Sequence, residues 1–198
     1  MVKIIIFDTE TTGLPKQRYI DPIAFKNNWP DLVSLSYKLY EFDGNTKTLL
    51  KVFDKIVKPI GWSIPDESVQ FHQITEAIAN EKGENLETVI NEFIQDIKDV
   101  YMIVAHNLEF DRNVILNVAY WRLNKNIKHL WPTQAEFCTF EAYRNELGRS
   151  TQRKNLNSLY VATFNKEPPP NAHNSRRDVD VLDEIFWKRW SPIIHIKT

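Results

Sequence analysis

Hydrophobic positions enter this chain as an unbroken run, Ile4-Ile5-Ile6-Phe7, and then recur at intervals that change along its length. A β-branched and aromatic run of that kind predicts a strand buried on both faces. From Leu32 to Phe42 apolar and polar residues alternate. Asp43-Gly44 or Gly44-Asn45 offers a turn, and Thr46 to Val57 returns, the pattern of a β-hairpin. The period then lengthens. A short helical stretch holds Phe71-His72-Gln73-Ile74-Thr75, and Leu86, Val89, Ile90, Phe93, Ile94 and Ile97 trace one face of a helix. Tyr101 to Ala105 is a short apolar strand, followed by a helix with Phe110, Val114, Ile115 and Val118 inward. Glu136 to Thr139 predicts another short strand. Leu156 to Phe164 predicts a helix that buries Leu156, Leu159, Tyr160 and Phe164. A last helix, from about Ser175 to Trp190, carries the stripe Val179, Leu182, Ile185, Phe186 and Trp190.

The resulting order, β-β-β-α-β-α-β-α-α, predicts an α/β fold. Three leading antiparallel strands and two further strands form a mixed sheet flanked by helices, in a single domain over residues 1–198. Two connections stand out. Pro15 to Pro30 is long and lacks a period, and loops of that kind are often functional; Lys16, Arg18 and Lys26 lie in it. Pro168-Pro169-Pro170 is stiff, because each proline fixes its own φ.

Composition narrows the class. With 42% hydrophobic and 26% charged residues the chain reads as an ordinary globular protein. No apolar run reaches membrane-spanning length, and Met1-Val2-Lys3 runs straight into a strand, so neither a membrane segment nor a signal peptide is expected. Cys138 is the only cysteine, which excludes an internal disulfide and agrees with a reducing, intracellular and most simply cytoplasmic setting. The net charge of −1 excludes a generic polyanion binder, so any phosphate-binding surface must be local. The 11 Phe, 7 Tyr and 6 Trp are core material first; they would also serve a homodimer interface, which nothing in the sequence locates.

The chemistry concentrates where the first strand ends, in Asp8-Thr9-Glu10-Thr11-Thr12-Gly13-Leu14. Strand alternation points Asp8 and Glu10 to the same side. Two carboxylates leaving a buried strand together repel each other and lose hydration, a cost that an oxygen-seeking cation such as Mg²⁺ or Mn²⁺ offsets. Gly13 permits a tight turn there. Asp111 falls in the first turn of the helix after the fourth strand, and Asp178 near the start of the last helix. An acid at a helix start often just complements the dipole. Together, however, strand ends and helix starts of such a sheet can meet in one cleft. Four acids there would be matched by two divalent ions about 3.5–4 Å apart, the arrangement that cleaves phosphodiesters. His173, five residues before Asp178, is placed to take a proton from water.

Three motifs carry a resemblance: Phe7-Asp8-Thr9-Glu10-Thr11-Thr12-Gly13-Leu14; Val104-Ala105-His106-Asn107 with Phe110-Asp111; and His173 with Asp178. Weaker echoes are Phe71-His72-Gln73-Ile74-Thr75, Phe137-Cys138-Thr139 and Leu156-Asn157-Ser158-Leu159-Tyr160. In this order, across nearly the whole chain, the sequence resembles the DnaQ-like 3′→5′ exonucleases of the histidine-type DEDD superfamily, with their RNase H-like fold. Asn174, four residues before the last acid, stands where the tyrosine branch would want Tyr. The resemblance implies that Asp8, Glu10, Asp111 and Asp178 hold two Mg²⁺ or Mn²⁺ ions and that His173 is the general base. It implies that the first ion lies among Asp8, Glu10 and Asp178, and that the second leans on Asp8, with Asp111 acting through water. It further implies that Thr11, Gly13 and Leu14 meet the terminal nucleotide, and that Asn107 orients backbone or substrate. The partner implied is a nucleic acid with a free 3′ end, DNA or RNA, met by a stand-alone enzyme, a homodimer or a subunit docked to a larger complex. This sequence departs from the family at Asn174-Ser175-Arg176-Arg177, where small or apolar residues are usual, and at Val179, where Ala commonly follows the acid.

Arg176 and Arg177 read equally as phosphate contacts or as solvated charges, as do Arg149, Arg153 and Lys154 ahead of the helix that begins at Leu156. His72 and His106 are expected to be structural, and His129 and His195 to lie at the surface. Against the exonuclease stand a catalytically silent nucleic-acid-binding module on the same fold, an RNase H-type endonuclease, and a scaffold whose acids only cap helices.

Overall fold

The apolar stretches become the strands β1 (Val2–Thr11), β2 (Leu32–Phe42), β3 (Lys47–Ile56), β4 (Met102–Ala105) and β5 (Glu136–Cys138) in a computed structural model that describes residues 1–132, 135–146 and 155–191. They form one sheet in the order β3-β2-β1-β4-β5. The three leading strands pair antiparallel, and β4 and β5 run parallel to β1, as their helical crossovers require. β1 is therefore central, and Ile4 to Phe7 are completely buried. At about 1.5–3 kcal/mol for each fully buried large side chain, these four residues anchor β1 firmly in the middle of the sheet.

Helices cover both faces. The helices α1 (Asp66–His72), α2 (Glu76–Lys82), α3 (Leu86–Ile97), α4 (Leu108–Leu123), α5 (Thr139–Glu146), α6 (Leu156–Phe164) and α7 (Ser175–Arg189) follow in order. On one face Ile5, Phe7, Leu35 and Tyr37 pack with α3 and α4; on the other Ile4, Ile6 and Tyr40 pack with α6 and α7. Aromatic side chains fill these cores: Tyr37 stacks on Phe53 at 4.6 Å, and Phe7 tilts against Phe93 at 5.4 Å.

The hairpin turn takes the second of the two pairs offered: Gly44-Asn45 lies at its centre, between Asp43 and Thr46, and the Asp43 carboxylate accepts from the amides of both Asn45 and Thr46. Two local expectations need correction. The stretch Phe71 to Thr75 is helical only at Phe71 and His72, the last turn of α1, and Gln73 to Thr75 is the break between two helices. Gln73 adopts a left-handed backbone (φ 63°) that ends α1, and the Thr75 hydroxyl caps α2 by accepting from the Ile78 amide. The predicted strand Glu136 to Thr139 gives up Thr139, which opens a helix that periodicity did not reveal: in α5 only Thr139 and Tyr143 are buried.

The long connection from Pro15 to Pro30 is pinned rather than loose. The Asn28 side chain accepts from the Gln17 amide and donates to the Gln17 carbonyl, the Trp29 indole donates to the Ile20 carbonyl, and the Trp121 indole of α4 donates to the Pro22 carbonyl. Lys16, Arg18 and Lys26 are exposed on it. No described helix is long and apolar enough to cross a membrane.

Candidate metal centre

Asp8 and Glu10 leave the C-terminal half of β1 on the face covered by α7, two residues apart as the pleat dictates. The first turn of α7 brings Asp178 to them. One carboxylate oxygen from each of Asp8, Glu10 and Asp178 lies within 4.8 Å of the others. Three oxygen donors at that spacing suit a hard divalent cation, and the donor set contains no soft ligand.

Asp111 reaches the same strand end from the opposite face. It is 3% exposed in the first turn of α4, and its Oδ1 accepts from the Thr9 amide (3.2 Å) and the Thr9 hydroxyl (2.6 Å). Thr9 sits between the two acids, so its side chain points away from them and toward α4. The fourth acid is thus latched to the strand that carries the first two.

Electrostatics shows the strain of this gathering. Burial, then the charges of Asp111, Glu10 and Asp178, push the Asp8 carboxyl well above the usual carboxylate range. Burial, then Asp178 and Asp111, push Glu10 up to about 8. Burial lifts Asp111 to about 7, against the pull of the two Thr9 donors. A divalent cation among these oxygens reverses the logic, because it favours the charged forms.

Asp178 is held from two sides. The His173 amide donates to its Oδ2 (3.1 Å) and the Arg177 guanidinium to its Oδ1 (2.6 Å). Arg177 also donates to the carbonyls of Pro169 and Pro170, which ties the proline stretch to the start of α7. Arg176 pairs instead with Asp180, one turn along the helix. Both arginines are therefore engaged within the chain, Arg177 at the centre itself. His173 has a left-handed backbone (φ 63°), is exposed, and lays its ring edge against Phe71 at 5.6 Å.

The remaining predicted residues follow the acids of β1 or precede α4. The Thr11 hydroxyl donates to the Gly13 carbonyl (2.8 Å) and closes the turn after β1. Gly13 has φ +145°, and a Cβ there would meet nothing within 4 Å, so the space above it is open. Leu14 is 74% exposed, an apolar side chain turned to solvent. Asn107 starts α4 in a left-handed conformation (φ 76°) without capping it through its side chain.

His72 and His106 are each engaged by neighbouring groups of the chain. His72 is buried, its Nδ1 accepts from the Ile74 amide, and burial lowers its pKa; His106 Nδ1 bonds the Thr139 hydroxyl. His129 is exposed. Arg149, Arg153, Lys154 and His195 lie outside the described residues. Sequence reasoning missed one contributor, Thr9, which strand alternation already pointed away from the acids; Phe71, quoted there only within a weak motif, is 60% exposed beside His173.

Residues 39–186, about three quarters of the chain, match the family model RNase_T, described as exonuclease. No curated protein sequence matches at a significant level. Among solved structures, Escherichia coli exonuclease I in complex with a dT13 oligonucleotide superimposes with a TM-score of 0.73 at 16% identity, over 98% of this chain and 42% of that one. The zinc-bound form of the E. coli exonuclease I–single-stranded DNA complex gives 0.72 at 16%, over 96% and 41%. Exonuclease I from Methylocaldum szegediense gives 0.69 at 16%, over 96% and 41%. The shared architecture is the RNase H-like exonuclease fold, and this chain spans less than half the length of those relatives.

Proposed function

The chain belongs to the RNase_T exonuclease family, and on that premise we propose that it is a metal-dependent 3′→5′ exonuclease, a single domain over residues 1–198 that removes mononucleotides from the 3′ end of DNA or RNA. The observation that carries this reading is the meeting of Asp8, Glu10 and Asp178, from the first strand and the last helix, within 4.8 Å. Asp8, Glu10 and Asp178 would hold one divalent ion, and Asp8 with Asp111 a second, Mg²⁺ or Mn²⁺ in each case. Bound there, such ions supply charge neutralisation for the phosphate and a lowered pKa for water.

The chain's own groups do the rest. His173 accepts the proton of the attacking water, whose oxygen forms a bond to phosphorus as the bond to the 3′ oxygen breaks. The products are a 5′-mononucleotide and a strand one residue shorter. General-base help of this kind contributes about 10²–10⁴-fold. The Arg177 guanidinium and the His173 amide keep Asp178 oriented. Leu14 and the open space over Gly13 receive the terminal nucleotide, and Asn107 faces the strand behind it. Arg177 and Arg176 border the path of the backbone phosphates. The oligodeoxynucleotide bound by exonuclease I makes a short DNA strand the first substrate to try. In the same reading the compartment is cytoplasmic, and the working form is a stand-alone enzyme, a homodimer or a subunit of a larger complex, which sedimentation with and without oligonucleotide distinguishes.

The test uses matched DNA and RNA oligonucleotides with free or blocked 3′ ends, and a circular single strand. Stepwise loss from the free 3′ end in Mn²⁺ or Mg²⁺, with the blocked and circular substrates intact, is expected. Cleavage of the circle would assign an endonuclease instead, and binding without cleavage a silent module.

A further inference from the structure

Opposite Asp8 and Glu10 in the β1–β2 ladder stand Ser36 and Ser34. Residues paired across antiparallel strands share a face, so two hydroxyls lie beside the two carboxylates, on the side that α7 covers. Ser36 is completely buried and Ser34 is 2% exposed. Both bond the hydroxyl of Ser175, at 2.8 and 2.9 Å. Ser175 is the first residue of α7, is 3% exposed, and lies just under one turn before Asp178.

The direction of these bonds follows from proton counting. Ser36 donates to Asp54 Oδ1 at 2.7 Å, which uses its only hydrogen. It must therefore accept from Ser175, and Ser175, having spent its own, must accept from Ser34. The result is a one-way chain, Ser34 to Ser175 to Ser36 to Asp54, that ends on a carboxylate. Further along β2, Lys38 binds Asp180 and Asp183 of α7 at 2.8 Å each, and the Tyr40 hydroxyl donates to Asp183 at 2.9 Å. Apolar contacts choose which face of a helix is buried but resist sliding weakly. Directional bonds in a dry interface resist sliding strongly, because any slip strands a buried polar group. Metal ligands, for their part, tolerate displacements of only about 0.2 Å.

We infer that the serine chain through Ser175 is a positioning device: it sets the register of α7 on β2 and thereby holds Asp178 where it closes on a cation with Asp8 and Glu10. The inference rests on the metal-binding reading above and adds to it three residues that the metal ligands do not include. Ser175 stands inside the stretch where this sequence departs from its family.

Two variants test it, Ser175→Ala and the double variant Ser34→Ala/Ser175→Ala. The first leaves the buried Ser34 hydroxyl without its partner; the second removes that orphan while Ser36 keeps Asp54. Mn²⁺ affinity by calorimetry is expected to weaken about tenfold or more in both, the range seen when groups behind metal ligands are lost. Thermal stability, by contrast, should drop in the single variant and recover in the double one, a split that a merely structural role would not produce. Affinity within twofold of wild type in either folded variant overturns the inference. If wild type itself takes up no Mn²⁺, the metal reading fails, and crystal structures of the variants decide the register claim alone. An α7 shifted along β2 relative to Asp8 supports it, and an α7 superimposable on wild type overturns it.

Discussion

Glu10→Gln separates the electrostatic penalty of the acidic cluster from its use. In a chelator such as EDTA, the Glu10 carboxyl carries a pKa of about 8 in the folded chain against 4.5 for the ordinary group, with burial as the first cause and Asp178 as the second. A carboxyl raised in the folded state contributes stability at pH values below its unfolded pKa. That stability is lost as pH climbs through the folded pKa. At 1.36 kcal/mol per pH unit, the part lost between pH 5.5 and 8 is at most about 3 kcal/mol. For a domain of this size that is a fall in melting temperature of roughly 6–12 °C. Glutamine keeps the shape and removes the titration. The variant in EDTA should therefore melt higher than wild type at pH 8, and its melting temperature should change less between pH 5.5 and 8. Saturating Mn²⁺ at pH 8 should raise wild type strongly and the variant little. Calorimetric melts at the two pH values, with and without Mn²⁺, read all of this. A wild-type melting temperature in EDTA that is flat or rising from pH 5.5 to 8, parallel to that of Glu10→Gln, would refute the reasoning.

Asp178→Asn should abolish Mn²⁺-supported cleavage with circular dichroism unchanged; turnover near wild type would remove Asp178 from the centre. His173→Ala should leave the Mn²⁺ affinity within a few-fold and lower the rate about 10²–10⁴-fold, so an unchanged single-turnover rate would take it out of the mechanism. Thr9→Val preserves shape but deprives the buried Asp111 carboxylate of its 2.6 Å donor. It should reduce stability in EDTA by about 1–3 kcal/mol and weaken Mn²⁺ binding; denaturant melts matching wild type would show that the Thr9 latch is idle.

The acids of the candidate centre were legible because each sits where a strong local signal ends. The run Ile4 to Phe7 announces a central strand, and period-two alternation then dictates that Asp8 and Glu10 share a side. The stripe from Val179 to Trp190 likewise fixes α7 and leaves Asp178 in its first turn. What sequence left open is what only packing decides. Thr9 and Asp111 are 102 positions apart, and nothing local says that one would hold the other. Ser34, Ser36 and Ser175 read as ordinary polar residues until the β1–β2 register sets two of them opposite the acids. Arg177 had two readings, phosphate contact or solvated charge, and its side chain sits on Asp178. The helix α5 escaped notice because four positions separate its two buried side chains, too few to establish a period.

Crystals of the wild-type chain soaked in Mn²⁺ and measured at the manganese absorption edge address the central claim most directly. The account predicts an anomalous peak among the oxygens of Asp8, Glu10 and Asp178, with a second on the Asp111 side of Asp8. It is contradicted if those carboxylates keep their places at saturating Mn²⁺ and no peak rises between them.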